Sequence, residues 1–122
     1  MRRLNYYFIL FFIIMLCVLS HPVYCEESMK EEISHLLEYI SSSGCTFIRN
    51  SSGHTAEEAI EHIQKKYDYF KSRIKTTEDF IKYAATKSTL SGKLYKVRCS
   101  GMEIPCADWL KTELDRFRGK GN

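Results

Sequence analysis

The chain has 122 residues, 44% of them apolar and 27% charged, with 18 basic and 15 acidic side chains for a formal net charge of +3. That length suits one domain around one modest core and leaves no room for two. Nothing in it is denser in positive charge than Lys65-Lys66, which excludes the basic, aromatic-studded patch of a nucleic-acid binder.

Arg2 and Arg3 precede an unbroken apolar run of 14 residues from Tyr6 to Leu19. A positive start followed by an apolar stretch of that length is the pattern of an export signal. It falls short of the roughly 20 residues a membrane span needs. The expectation is a signal over residues 1–25, cleaved after Cys25, and one domain over residues 26–122; membrane contact would come only through an uncleaved signal. Cleavage removes both arginines and no acid, leaving 16 basic against 15 acidic residues.

Ile33, Leu36, Leu37 and Ile40 recur at helical spacing and predict a helix over 29–42, capped by Ser28. Ser41-Ser42-Ser43-Gly44 ends it. Cys45 to Arg49 alternates as a strand, and Asn50-Ser51-Ser52-Gly53 turns the chain into the longest amphipathic segment, Thr55 to Ile74. On that segment Ala56, Ala59, Ile60, Ile63, Tyr67, Phe70 and Ile74 share one face, and Thr55 with Glu58 forms a capping box. It is expected to carry the core. His62, Lys66, Tyr69 and Arg73 line one flank of the stripe, and Glu57, Glu61 and Asp68 the other.

Thr76 and Thr77 restart a helix over 78–87, and a polar turn from Lys87 to Lys93 leads into a second strand, Leu94 to Cys99. Glu103 and Ile104 return as a short third strand. Pro105 opens a last helix bearing Trp109, Leu110, Leu114 and Phe117, which ends near Gly119 and leaves residues 120–122 frayed. The fold class is α+β, about four helices on a two- or three-stranded antiparallel sheet.

Beyond the signal the cysteines are Cys45, Cys99 and Cys106, an odd number. The spacing of the last two, with Ser100-Gly101 between them as turn residues, favours a Cys99–Cys106 disulfide closing a hairpin-like loop, with Cys45 as a buried thiol. Pairing of Cys45 with either of the others stays open. His35, His54 and His62 form no close pair and no Cys-x-x-Cys occurs, so no metal site and no cofactor is expected. Ser72 and Lys75 have the spacing of a serine acylase without its companion motifs, and Ser91-Gly92-Lys93 lacks the upstream glycine of a phosphate loop. No residue is assigned a catalytic role.

What remains is a set of polar residues at element ends: Arg49 and Asn50 leaving the first strand, His62 and Lys66 on the long helix, and Ser88, Ser91 and Lys93 entering the second strand. If the two strands pair antiparallel, these residues converge. One reading is a network that ties down the serine-rich turn. The other is a patch for an anionic or carbonyl-bearing ligand, which makes the protein a non-enzymatic module binding an envelope protein or an anionic envelope component.

The ordered set Cys45-Thr-Phe47-Ile48-Arg49-Asn50, Glu58-Ala59 with His62 and Lys66, Glu78-Asp79-Phe80-Ile81, Ser88 with Ser91-Gly92-Lys93 and Tyr95, and Trp109-Leu110 resembles the YfeK-like family of small exported bacterial proteins, a domain of unknown function. The likeness covers residues 31–114. It implies a periplasmic or secreted protein and supplies no activity. The family's Arg-Asn-Gly turn is here Arg49-Asn50-Ser51, with glycine delayed to Gly53. Two alternative functions stand beside the binding module. The Ser91-Gly92-x-x-Tyr95 loop is similar to those that small periplasmic lysozyme inhibitors insert into active sites, and a small hydrolase or transferase would use Cys45 or a serine beside His62.

Overall fold

The computed structural model describes residues 2–17 and 21–120. It divides into two compact units, residues 1–30 and 31–122. In the first, helix α1 (Arg2–Cys17) exposes Tyr6, Phe8, Phe11 and Phe12, as expected of an apolar run with no core to enter. No helix among the described residues is long and apolar enough to cross a membrane. Met1 and residues 18–20 of the expected signal lie outside the described residues, as do Gly121 and Asn122 of the expected frayed end.

Helix α2 (His21–Ser42) starts well before the cap expected at Ser28. Glu26 and Lys30, four residues apart and 3.1 Å from each other, support the added turns. At its end the Ser43 hydroxyl donates to the Ile40 carbonyl at 2.8 Å.

The 31–122 unit is α+β, as the sequence implies, with a four-stranded antiparallel sheet in the order β2-β1-β3-β4: β1 (Thr46–Arg49), β2 (Ser52–His54), β3 (Lys96–Cys99) and β4 (Met102–Pro105). Strand β2 is the one not foreseen. Asn50 and Ser51 both take left-handed backbone angles, φ 49° and 69°, so that a two-residue hairpin joins Arg49 directly to Ser52. Ser51 therefore holds a conformation that glycine adopts without strain. Ser100 and Gly101, φ 51° and 80°, repeat the device between β3 and β4.

Helix α3 (Ala56–Phe70) has the expected capping box: the Thr55 hydroxyl accepts from the Glu58 amide at 3.2 Å, and the Glu58 carboxylate accepts from the Thr55 amide at 3.0 Å. It does not carry the core. Within it only Ala56 and Ile63 are buried, because the wide Tyr67 and Phe70 rings stop half-exposed against Phe80 and Tyr83. The most completely enclosed side chains are Leu36 and Ile40 of α2, Phe80 and Ile81 of α4 (Thr77–Ala84), Leu110 and Leu114 of α5 (Cys106–Lys120), and Val97 of β3. Four helices and one face of the sheet thus share the interior. Lys120, expected to fray, is the last residue of α5.

Polar bonds tie three of these helices together. Arg118 of α5 donates to both carboxylate oxygens of Glu32, at 2.8 and 3.0 Å, and also holds Glu78 of α4. Thr77 donates to Glu32 as well. Beside them Glu113, buried, is shared by His35 at 2.7 Å and Arg116.

Candidate functional site

Strands β1 and β3 run antiparallel with Ile48 opposite Lys96, so Arg49 at the end of β1 comes beside the approach to β3, as the sequence argument required. Alternation turns Phe47 and Arg49, and on the other strand Tyr95 and Val97, toward the helices. There they meet α3. Between them lies a recess of about 30 Å³ walled by Phe47, Ala59 and Ile63 and bordered by Arg49, His54, Glu58, His62 and Tyr95.

His62 and Tyr95 form its polar centre, with Nε2 of the imidazole 2.9 Å from the phenol oxygen. Lys66 approaches the same oxygen at 3.3 Å, donates to the Lys87 carbonyl at 2.6 Å, and stands 5.0 Å from the centre of the Tyr95 ring. An ammonium only donates, so the phenol oxygen accepts from Lys66, and the sense of its bond to Nε2 follows the His62 tautomer. Burial, then the charges of Arg49 and Lys66, hold the His62 pKa down at about 4. The imidazole is neutral at ordinary pH. Burial also raises the Tyr95 phenol and lowers Lys66 from its usual value. Arg49 is half-buried, and among the described residues no ion pair or side-chain hydrogen bond engages it. Glu58, the carboxylate on the rim, is committed to the Thr55 amide and to His54 at 3.3 Å. The arrangement is a neutral His62–Tyr95 pair with the Lys66 ammonium on one side and, at its edge, a guanidinium that no side chain among the described residues engages.

The other expected residues gather elsewhere. Ser91 donates to the Asn50 side-chain oxygen at 2.6 Å and accepts from the Lys93 amide at 3.2 Å. Ser88 is buried inside the turn, its amide on the Lys93 carbonyl at 2.9 Å and its hydroxyl accepting from the Ser91 amide. Asn50 and Lys93 border the outer face of the sheet. The seven residues therefore form two neighbourhoods, meeting at the Arg49-Asn50 step: Arg49, His62 and Lys66 around Tyr95, and Asn50, Ser91 and Lys93 around the turn that Ser88 closes. Of the network in which Arg49 and Asn50 would tie down the backbone of the serine-rich turn, the second neighbourhood keeps only Asn50, and through the Ser91 hydroxyl rather than the backbone. Leu90 at the tip of that turn is 98% exposed, whereas Tyr95 is folded inward with 7% exposed.

The cysteine assignment is corrected. Cys45 and Cys99 form the disulfide, S–S 2.00 Å and Cα–Cα 4.8 Å, and Cys106 is a buried free thiol. The register is the reason. Thr46 lies opposite Arg98, which sets the preceding Cys45 against the following Cys99. Within the hairpin Cys99 faces Met102, while the Cys106 amide bonds to the Tyr95 carbonyl at the far end of the strand, four residues or about 13 Å along. A Cys45 nucleophile is excluded by the same bond, and no serine lines the recess. Cys106 does line it, but burial pushes that thiol up to about 12, so it stays protonated and inert. Among the described residues no three metal-ligating side chains converge.

Tyr95 is the participant that the patch of seven omits. The alternation of Tyr95, Val97 and Cys99 was enough to place it on the inner face, where a buried phenol needs a partner.

A sequence profile described as a family of unknown function, DUF5329, matches residues 27–118. The "Uncharacterized protein YfeK" of Salmonella typhimurium is 33% identical over 81 residues, which cover 64% of this chain and 68% of that protein. No solved structure matches.

Proposed function

The chain belongs to the DUF5329 family of unknown function, and from that premise we propose that it is an exported, non-enzymatic binding module whose contact point is the recess at Arg49, His62 and Tyr95. One observation carries the reading: a half-buried guanidinium with no protein partner among the described residues stands beside a neutral His62–Tyr95 pair. A partly desolvated arginine is best completed by a carboxylate or phosphate, to which it donates two parallel bonds. At about 30 Å³ the recess has space for about two waters, against the several hundred Å³ of a small-molecule pocket. It suits the protruding carboxylate or carbonyl group of a larger partner, an envelope protein or an anionic envelope component. Export is supported by the apolar run after Arg2-Arg3 and by the Cys45–Cys99 bond, which persists in oxidising compartments.

The test compares wild type with Arg49→Ala and His62→Ala in pull-downs from envelope extract, using Lys75→Ala as a surface control. Loss of one partner from the first two variants alone is expected; equal recovery from all four would overturn the reading. A bound anion beside Arg49 also offsets the charges that depress His62, so its pKa, followed by NMR, rises when the partner is added. A second reading, inhibition of a lysozyme-like hydrolase, draws on the fully exposed Leu90 at the tip of the turn, and unchanged lysozyme turnover at micromolar protein dismisses it.

A further inference from the structure

The sheet's outer face, opposite the helices, carries a second pattern, and it shares only Ile48 and Lys96 with the recess. Lys96 and Arg98 alternate outward on β3, and Glu103 of β4 sits opposite Arg98. Arg98 donates to one Glu103 oxygen at 2.7 and 3.2 Å, and Lys96 lies 3.5 Å from the other. One carboxylate thus serves two cations. Lys93 stands at the end of the same face beside Asn50 and Ser51, giving three positive side chains and one negative. Between them runs an open groove of about 590 Å³ floored by Ile48, Leu94 and Gly53. Glycine keeps this floor low, since a Cβ at position 53 would come within 3.1 Å of the Thr46 methyl.

We propose that this groove binds an extended acidic segment of another protein chain, with carboxylates at alternate positions meeting Lys96 and Arg98. Alternate residues of a strand are about 6.8 Å apart, which is the repeat of Lys96 and Arg98 and equally that of an extended partner's same-side carboxylates. The partner's methylene stems would lie on Ile48 and Leu94, both accessible in the groove. Three cations against one acid supply the charge complementarity that selects an acidic chain. Glu103 occupies the position the partner's carboxylate would take, so it acts as an internal competitor.

Fluorescence anisotropy with the full chain tests this, using as probe a labelled eight-residue peptide of alternating Glu and Thr. A peptide with the same composition but its glutamates in one block serves as comparison, and anionic phosphatidylglycerol vesicles form a third arm. Saturable binding of the alternating peptide is expected, about tenfold weaker in Lys93→Glu/Lys96→Glu and several-fold tighter in Glu103→Gln, with circular dichroism confirming that each variant is folded. The gain in Glu103→Gln is the outcome a purely structural role for these ion pairs does not produce. No saturable binding, equal binding of the blocked peptide, no gain in Glu103→Gln, or binding to vesicles alone would each overturn the proposal. The Arg49→Ala variant keeps full peptide affinity if the groove and the recess are separate sites.

Discussion

His62 shows how one residue records its surroundings. Its folded pKa, about 4, lies below the unfolded value of 6.5, so between those values the unfolded chain binds the extra proton. The stability from the neutral imidazole is full above pH 6.5 and is lost as pH falls toward 4. With allowance for solvent screening at this partly exposed site, the loss is on the order of 1 kcal/mol. Urea midpoints measured between pH 7 and 5 should fall in wild type and stay flatter in His62→Gln. Below pH 4.5 the slope passes to Glu32, Glu78 and Glu113, whose hydrogen bonds to Arg118 and Arg116 hold them under the ordinary carboxylate value. Ser51 is the other residue with a measurable signature. At φ 69° it occupies a glycine conformation, and Ser51→Gly, with glycine's added unfolded-state freedom set against the relieved strain, should raise stability by about 0.5 kcal/mol, read as a higher midpoint.

Among the elements, α3 was the most legible, yet it buries only Ala56 and Ile63. Its cap, its stripe and its basic flank follow from spacing alone, and Thr55→Ala should cost about 1 kcal/mol in thermal unfolding through loss of the Glu58 bond. Periodicity measures how amphipathic a helix is. It does not measure how deep the helix sits, and the eight-residue α4, with Thr77, Phe80, Ile81 and Ala84 all buried, outranks it. Strand β2 was illegible for a different reason: Ser52-Gly53-His54 has no β-branched residue and no Phe, Tyr or Trp, and its strand character comes from pairing with β1 across the Asn50-Ser51 turn. The candidate site was half legible. Antiparallel pairing brought Arg49 to His62 as argued, but the outward or inward sense of each residue split the seven into two groups. The clamp at Arg118 could not be anticipated, since Glu32 and Arg118 are 86 residues apart. Arg118→Met leaves two acids facing each other and should lower the unfolding midpoint, whereas a midpoint unchanged from wild type would make the clamp a surface ornament.

Over the molecule as a whole, the Cys45–Cys99 bond closes 54 residues that include β2, α3 and α4. In the chain-entropy account a loop of that length is worth about 4 kcal/mol. Reduction with dithiothreitol, or Cys45→Ser with Cys99→Ser, should lower the unfolding midpoint substantially. Cys106→Ala should change it far less. Non-reducing peptide mapping gives the direct check, a linked Cys45–Cys99 peptide with Cys106 alkylated only after denaturation.

The pairing register has a further meaning for biogenesis. Cys99 and Cys106 are near neighbours along the chain, so in a nascent, unstructured polypeptide their collision is the frequent one and yields a wrong bond. The right bond requires the first and third strands to have zipped together across everything between them. Formation of the right bond is therefore a checkpoint that only an assembled sheet passes, and reduced chain oxidised without a thiol-exchange catalyst should first accumulate the short-range isomer.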